Sequence, residues 1–424
     1  RIKLNMVRVL HFSDAHIDMV SQGKRDPDTN LPARVLDYLT ALDQVVDAAI
    51  SERVDLVIFA GDAYKDRTPA PTYQREWGKR VMRISQAGIP MIILIGNHDL
   101  SPAVGRAHAL QEFDTLAVPH VHVISKLCML GPSDLEGLPV QVIGLPWVYR
   151  AGIVASLGLS GDSLNNANSE IENRVADLIA RFIENADANL PLILTAHVSV
   201  QGAQYGEERS VMLGQDLVLG GSIVKNPHLD YVALGHIHKP QNLNEGNHPP
   251  VVYSGSIERM NFGEASDTKY FVIAEVERGK TKLEWHEIPG RKFIDRCVVI
   301  DSIDQIDQKL SLALPDETQM KGAIVRLVLE YPKELETHIE ETTIRRRAAA
   351  AFEFSLVKRP KIEGRIRLPS GNTLASLSPL ELLATYWRAS HVDEKEIPIL
   401  QDLAKQVLEG GKLITEDGNE EAVL

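Results

Sequence analysis

Five apolar segments of this chain end in the same way, and that repetition constrains the fold more than any other feature. Each has the length and composition of a buried strand, and each runs directly into acidic, amide or imidazole side chains. The segments are VRVLHFS, DLVIFA, IPMIILI, LPLILTA and DYVALG, which begin at residues 7, 55, 89, 190 and 230. Helical patterns such as the run from 33 to 52 separate the first three, and this alternation predicts an α/β fold built on largely parallel strands.

The side chains that follow these segments suit a metal site. Functional groups of open α/β sheets gather beyond the carboxyl ends of the strands, so these side chains are expected to meet at one edge. They are Asp14, His16, Asp62, Asn97, His98, Asp99, His197, His236 and His238. Imidazole mixed with carboxylate, without thiolate, favours manganese, iron or zinc. Two close cations need a shared carboxylate, and Asp62, presented by a sharp turn at Gly61, is the candidate bridge.

Such a site predicts hydrolysis at phosphorus. A water held between two divalent cations loses a proton near neutral pH, and the same cations neutralise the oxygens of a phosphoryl group. We expect His98 to stabilise the developing charge and to protonate the leaving oxygen, with Asp99 holding its ring. One such strand ending is usually structural, but chance does not readily produce five. By contrast, His11 is interpreted as a packed neighbour of the site, and His120 and His122 as strand positions.

Length, composition and net charge restrict the class of protein further. The 424 residues suffice for two or three domains, and two cysteines, Cys128 and Cys297, cannot build a disulfide framework. No apolar stretch approaches the roughly 20 residues of a membrane span, so we expect a soluble, cytoplasmic protein. The net charge of −13 argues against a general polyanion binder unless positive charge is concentrated locally.

The pattern of the chain changes near Pro289-Gly290, and we predict a domain boundary there. The expected domains are 1–290, which carries the metal site, 291–370, and a helix pair in 371–424 that ends in an acidic tail. In the middle domain we expect helices near 303–313 and 333–350. Ser378 and Glu381 have the spacing of a helix N-terminal capping box.

The motifs at these strand ends resemble the signature of calcineurin-like metallophosphoesterases. More narrowly, DYVALGHIHKPQ (230–241) and YSGSIERMNFGEASDTKYFVI (253–273) are similar to the SbcD family, the nuclease subunit of the SbcC/SbcD double-strand-break repair complex. The similarity is strong over the first 290 residues. It implies a four-layer fold, in which two central sheets are flanked by helices, followed by a small α+β cap domain that faces DNA and by a C-terminal helix pair.

The resemblance also implies two metal ions, expected to be manganese. One ion would be held by Asp14, His16, Asp62 and His238, and the other by Asp62, Asn97, His197 and His236. His98 takes the role of stabilising the transition state. Many members of the family have a histidine three residues after the bridging aspartate, a position linked to exonuclease action. Lys65 occupies it here, so its role is left unassigned and exonuclease preference is less secure than nuclease activity.

Two surfaces are predicted in the later domains. The cap carries a concentration of cationic residues, expected to contact DNA phosphates: Arg345, Arg346, Arg347, Lys358, Arg359 and Lys361. A solvated charged face is the alternative. The helix pair offers an apolar face that predicts docking on a partner, and the resemblance implies that this partner is the coiled-coil base of an ATPase: Leu383, Tyr386, Trp387, Leu400 and Leu403. The alternative is that these two helices fold back on the cap.

Together these features predict a manganese-dependent DNA nuclease, with exonuclease action on duplex ends and endonuclease action on single-stranded or hairpin DNA. The resemblance implies that it acts with an SbcC-type ABC ATPase in double-strand-break repair, as a homodimer through the nuclease domain within a heterotetramer. We expect it in the nucleoid region of the cytoplasm and without a membrane. A phosphatase or cyclic-nucleotide phosphodiesterase on the same metal core is the first alternative. A non-catalytic DNA-end tether is the second.

Overall fold

The computed structural model describes residues 6–19, 24–101, 106–148, 167–206, 217–361, 378–389, 392–393 and 395–408. These residues form two compact units. The larger unit lies within 1–295, 316–326 and 348–355, and the smaller within 296–315, 327–347 and 356–424. The boundaries predicted after residues 290 and 370 stay predictions. In the described part of the chain, no helix is long and apolar enough to cross a membrane.

The described part of the chain contains both long strands and short pairing segments. The strands are β1 (Val7–Phe12), β2 (Leu56–Phe59), β3 (Met91–Leu94), β4 (Val121–Ile124), β5 (Cys128–Leu130), β6 (Gln141–Leu145), β7 (Leu192–His197), β8 (Ser199–Val200), β9 (Val218–Leu219), β10 (Tyr231–Gly235), β11 (Gln241–Asn242), β12 (Val251–Tyr253), β13 (Lys269–Glu277), β14 (Lys280–Ile288), β15 (Phe293–Val299), β16 (Ile324–Pro332) and β17 (Glu353–Lys361).

The helices fall between and after these strands. They are α1 (Ala33–Ser51), α2 (Pro71–Gln86), α3 (Gln111–Thr115), α4 (Ala167–Asn185), α5 (Gly221–Val224), α6 (Ile306–Ala313), α7 (Glu317–Met320), α8 (Glu341–Arg347), α9 (Pro379–Ala389) and α10 (Ile397–Leu408), with 3-10 turns at Phe262–Glu264, Ile303–Gln305 and Lys333–His338.

Two six-stranded sheets form the centre of the larger unit. The first has the order β14-β13-β1-β2-β3-β4 and the second the order β11-β12-β10-β7-β6-β5. Within them, β1 to β4 run parallel to one another, as do β6, β7, β10 and β12. The carboxyl ends of β1, β2 and β3 therefore share one edge of the first sheet, and those of β7 and β10 share one edge of the second. A third sheet has the order β15-β16-β17.

Alternation within the apolar strands builds four layers. In β2, Leu56 and Ile58 pack between the two sheets, whereas Val57 and Phe59 pack against the side of α1 and α2. The outer face of the second sheet packs against α4 in the same manner, through residues such as Leu194. Because both faces of each strand are buried, the strands read as continuous apolar runs. The predicted four-layer α/β arrangement is confirmed.

Some predicted elements are wrong in detail. The helix expected near 333–350 is instead the 3-10 turn Lys333–His338 followed by α8, and the backbone between them is extended at Ile339. His122 lies in β4 as expected, but His120 precedes the strand with a φ of 62°. The edge strand β14 is not among the strands predicted from the sequence.

The helix pair begins as the capping box predicts. The Ser378 hydroxyl donates to Oε2 of Glu381 at 2.7 Å, and the Ser378 backbone N–H donates to the same oxygen at 2.8 Å. The reciprocal bond, from the Glu381 backbone N–H to the Ser378 hydroxyl, is longer at 3.4 Å. These bonds satisfy orphan donors at the start of α9.

Candidate metal centre

The nine predicted site residues meet at one place, because the parallel strands that carry them end at adjacent sheet edges. Eight have almost no solvent exposure, and His98 is partly buried. Four of the predicted ligands have left-handed backbones, with φ of 52° at Asp14, 41° at His16, 63° at Asp62 and 93° at His236. Such conformations are costly for residues other than glycine, and they concentrate at sites where surrounding structure enforces them. The loops are thus shaped to aim these side chains inward.

One group of possible ligands joins the first sheet to the second. Donor atoms of Asp14, His16 and His238 all lie within 4.8 Å of one another. Nε2 of His16 is 3.3 Å from Nε2 of His238. Asp14 is held in place by the His236 backbone N–H, which donates to its carboxylate at 3.1 Å.

A second group overlaps the first. Donor atoms of Asp14, Asp62 and His197 also lie within 4.8 Å of one another. Oδ2 of Asp62 is 3.4 Å from Nε2 of His197 and 3.8 Å from Nε2 of His16, so this oxygen lies between the two groups. That position is the one expected of a bridging carboxylate.

Asn97 and His236 complete the second group. Oδ1 of Asn97 is 3.0 Å from Nε2 of His197 and 3.3 Å from Nδ1 of His236. The preceding residue must be small, because a Cβ on Gly96 would lie 2.1 Å from Oδ1 of Asp62. The glycine therefore lets the loop after β3 approach the bridging carboxylate closely.

Hydrogen bonds fix the orientation of three of the imidazoles. In each, Nδ1 faces an oxygen outside the cluster. Nδ1 of His16 lies 3.1 Å from the Tyr64 carbonyl oxygen, and Nδ1 of His197 lies 2.6 Å from the Ala60 carbonyl oxygen. Nδ1 of His238 lies 3.0 Å from Oε1 of Glu264. These oxygens accept hydrogen bonds, so each ring in its neutral form carries its hydrogen on Nδ1 and directs an Nε2 lone pair inward. Two lone pairs at 3.3 Å repel each other unless a cation lies near them. The donor set therefore fits divalent metal ions.

The buried carboxylates of the cluster also favour a bound positive charge. Burial disfavours the charged forms of both Asp62 and His197, but their mutual attraction prevails, so the pKa of Asp62 falls well below its usual range and that of His197 rises to about 9. Burial also lowers the pKa of His16 and of His98. Burial and the neighbouring Asp62 carboxylate raise the pKa of Asp99. A concentration of carboxylates this far from water is a favourable place for positive charge.

The expectation that Asp99 holds the His98 ring is wrong. Its carboxylate instead accepts backbone N–H groups from Asp62 at 2.9 Å, Ala63 at 3.0 Å and Gly96 at 3.0 Å. Asp99 thus ties the loop after β2 to the loop after β3. Nδ1 of His98 lies 2.9 Å from the Lys65 carbonyl, which holds the ring in the place of Asp99.

Glu264 is a functional residue that the sequence analysis missed. Besides His238, it contacts the buried ammonium of Lys269 through Oε2 at 2.6 Å, and that ammonium also donates to the Ser256 hydroxyl at 2.9 Å. The segment 253–273 that resembles the SbcD family contains all three residues. His11 is a packed neighbour, as predicted, with Nδ1 2.9 Å from the Tyr231 hydroxyl.

The predicted DNA-contacting cations of the smaller unit are exposed but paired. Arg345 lies 2.7 Å from Glu341, Lys358 lies 3.5 Å from Glu336, and Glu330 lies 3.6 Å from both Arg359 and Lys361. Arg347 lies 3.7 Å from Asp307, and Arg346 donates to the Thr343 hydroxyl at 3.1 Å. The partners Glu330 and Glu336 belong to β16 and to the turn after it, and both are distant in sequence from the cations of β17. The positive excess is therefore smaller than expected.

The predicted docking residues of the helix pair differ in exposure. Tyr386 is 56% exposed and Leu403 is 45% exposed, and Ile399, which was not among the predicted residues, is 63% exposed. Leu383, Trp387 and Leu400 are partly buried. Tyr386, Ile399 and Leu403 are the exposed large apolar side chains in the described part of the helix pair.

Comparison with known proteins identifies related sequences. Residues 7–240 match the family described as calcineurin-like phosphoesterase. The SbcD subunit of the nuclease SbcCD from Escherichia coli K12 is 27% identical over 286 residues, which are 65% of this chain and 66% of that protein, slightly under two thirds of its length. The corresponding SbcD protein of Rhodobacter capsulatus is 24% identical over 76% of this chain and 80% of its own.

A further relative spans more of the chain. The DNA double-strand break repair protein Mre11 of Thermoplasma acidophilum is 24% identical over 94% of this chain and 93% of that protein. The resemblance to SbcD proteins that the sequence analysis noted is confirmed by these relatives.

Proposed function

The chain belongs to the calcineurin-like phosphoesterase family, and from this premise we propose that it is a DNA nuclease that works with two divalent metal ions. The observation that carries the proposal is the position of the Asp62 carboxylate between the two ligand groups, with Oδ2 3.8 Å from Nε2 of His16 and 3.4 Å from Nε2 of His197. A single metal site needs no such shared carboxylates, whereas a pair of cations in a hydrolytic centre does.

The residues present divide naturally between two ions. Asp14, His16 and His238 with Asp62 would hold one ion, and Asp62, Asn97, His197 and His236 the other. When bound, the ions supply Lewis acidity toward a phosphoryl oxygen and lower the pKa of water. Manganese is the metal we propose, because four imidazoles, two carboxylates and one amide form a mixed nitrogen and oxygen donor set.

Residues of the chain also position the groups that would act on the substrate. The His98 backbone N–H donates to Oδ1 of Asp62 at 2.8 Å, so the loop that carries the His98 ring also restrains the bridging carboxylate. The ring itself is only partly buried, and it is the imidazole of the cluster best placed to meet a substrate. Its role would be to stabilise charge on the phosphoryl group and to assist departure of the leaving oxygen.

DNA is the proposed substrate for two reasons. Relatives that align with 65% to 94% of this chain are named as nuclease subunits or as a DNA double-strand break repair protein. In addition, the ion pairs that the predicted DNA-contacting cations form in the described part of the chain involve carboxylates that are 29% to 92% exposed. Surface pairs of this kind are worth about 0–1 kcal/mol, so phosphates can displace the carboxylates. We propose action on duplex ends and on single-stranded or hairpin DNA.

An ATPase partner completes the proposal. The exposed apolar residues of the helix pair, Tyr386, Ile399 and Leu403, support docking on an SbcC-type coiled-coil ABC ATPase. We further propose a homodimer through the nuclease domain, a heterotetramer with the ATPase, and action at the nucleoid in the cytoplasm.

The deciding experiment compares substrates and metals. The protein is incubated with linear duplex DNA and with circular single-stranded DNA, in manganese or magnesium, with and without the partner ATPase. Cleavage of both DNAs in manganese is the expected result. Rapid hydrolysis of small phosphate esters without DNA cleavage would instead identify the phosphatase alternative. If DNA were bound without cleavage in either metal, the protein would be a tether.

A further inference from the structure

Lys65 contacts both ring nitrogens of His98. Its carbonyl oxygen lies 2.9 Å from Nδ1, and its side-chain Nζ lies 3.3 Å from Nε2. A carbonyl can only accept a hydrogen bond and an ammonium can only donate one. Both contacts are therefore satisfied together only if Nδ1 carries the ring proton and Nε2 carries a lone pair.

The main chain at Lys65 is itself held rigidly. The carboxylate of Asp18 accepts the backbone N–H of Lys65 through Oδ1 and that of Asp66 through Oδ2, the latter at 3.0 Å. Asp18 is 8% exposed and lies beyond β1, on the same loop as the candidate ligands Asp14 and His16. The position of the Lys65 carbonyl is thus set by the same loop that presents two of the candidate ligands.

The Lys65 ammonium is available to a further ligand. In the described part of the chain, the Lys65 ammonium forms no ion pair with a carboxylate, and its one hydrogen bond is to His98. A partly buried ammonium without a counterion, at the edge of a site built for metal ions, is well placed to receive an anionic group.

We infer that Lys65 locks His98 in the Nδ1–H tautomer and that its ammonium provides the hydrogen-bond donor toward the scissile phosphate. In this tautomer Nε2 has no proton of its own, so a proton that His98 passes to the leaving oxygen would come from the Lys65 ammonium, which donates to Nε2. Lys65 thus positions His98 through its carbonyl and contacts the substrate through its ammonium. The part of the inference that concerns the phosphate rests on the proposed nuclease function, and the tautomer does not.

The tautomer is tested in the metal-free protein by long-range ¹H–¹⁵N spectra of protein labelled with ¹⁵N-histidine, in which His98→Gln identifies the His98 signals. We expect a protonated Nδ1 and an unprotonated Nε2 that accepts a hydrogen bond. In Lys65→Met, the Nε2 resonance should move toward that of a ring nitrogen without a donor. Lys79→Met, which removes a lysine of α2 that contacts Glu76, is the matched control and should leave it unchanged. A protonated Nε2 in the wild type, or an unmoved signal in Lys65→Met, would overturn the inference.

The phosphate contact is tested by kinetics on linear duplex DNA. Lys65→Met should lower kcat by about 100-fold, while metal stoichiometry and thermal stability stay as in the wild type. Lys65→Arg, which keeps a cation, should recover part of this loss. Unchanged kcat in Lys65→Met would refute the contact. If the wild type itself cleaved no DNA, the nuclease proposal would fail, and the spectra would still decide the tautomer.

Discussion

Oε1 of Glu264 lies 3.0 Å from Nδ1 of His238, which links a candidate metal ligand to a carboxylate on the 3-10 turn Phe262–Glu264. The other oxygen of this carboxylate contacts the buried Lys269 ammonium. A carboxylate behind a ligating imidazole fixes the ring and increases its basicity. Glu264 therefore supports the candidate metal centre without belonging to it.

The first prediction concerns Glu264 and pH. Burial opposes its ionisation, but the His238 hydrogen bond and the Lys269 ammonium prevail and lower its pKa from 4.5 to about 2. Because the folded-state pKa is the lower one, the stability gained from this carboxylate is complete above pH 4.5 and is lost as the pH falls toward 2. Denaturant unfolding of the metal-free protein should show Glu264→Gln less stable at pH 7, with the difference shrinking over that range. A difference independent of pH would contradict this account.

A second prediction concerns Asp99→Asn. Both carboxylate oxygens accept backbone N–H groups, and an amide nitrogen in place of one oxygen would face a donor. Leaving one buried donor unsatisfied costs about 1–3 kcal/mol, so we expect a fall of this size in the free energy of unfolding. Manganese affinity, measured by titration calorimetry, should also fall because Asp62 shifts. Asp114→Asn, on the surface helix α3, serves as the control and should change neither quantity.

His98→Gln tests the catalytic role of the ring. Glutamine keeps the backbone N–H that donates to Asp62, so both metal ions should remain bound. Cleavage of DNA should fall by about 10²–10⁴-fold, the range typical of a lost acid or base group. Metal content by elemental analysis is read alongside cleavage rate. Wild-type cleavage by the variant would remove His98 from the mechanism.

Another prediction concerns the helix pair. Tyr386→Asp and Leu403→Asp place charge on exposed apolar positions, and Trp387→Asp does so at a partly buried one. We expect each to weaken binding of the ATPase in a pull-down, while nuclease activity of the isolated protein is retained. Lys395→Asp is the control. Lys395 precedes α10, and its backbone N–H donates to Asp393. Full ATPase binding by all three variants would exclude this surface.

The candidate site could be predicted from sequence to the extent that strand direction determines it. Asp14, Asp62, Asn97, His197 and His236 follow parallel strands, so their convergence is a consequence of topology. The role of Asp99 could not be predicted, because its partners are backbone N–H groups that every loop offers. The role of Glu264 could not be predicted either, because its contact with His238 depends on a turn that only the folded chain forms.

The smaller unit shows the same limit on prediction. Helical periodicity predicted one helix near 333–350. The structure instead has an extended backbone at Ile339, which separates the 3-10 turn from α8. Likewise, the carboxylates of Glu330 and Glu336 reach the cap cations through folding and not through proximity in sequence. Local patterns predict elements, whereas pairings between elements require the tertiary structure.

The ligands are distributed from Asp14 to His238 and between two sheets, and this has a consequence for synthesis of the chain. A ribosome-bound chain that has not yet emerged as far as β10 lacks His236 and His238, although β1, β2 and β3 are already available. Partial translation products would therefore lack some of the candidate metal ligands. Under the proposed function, hydrolytic activity would therefore require that β10 and the residues after it have been synthesised.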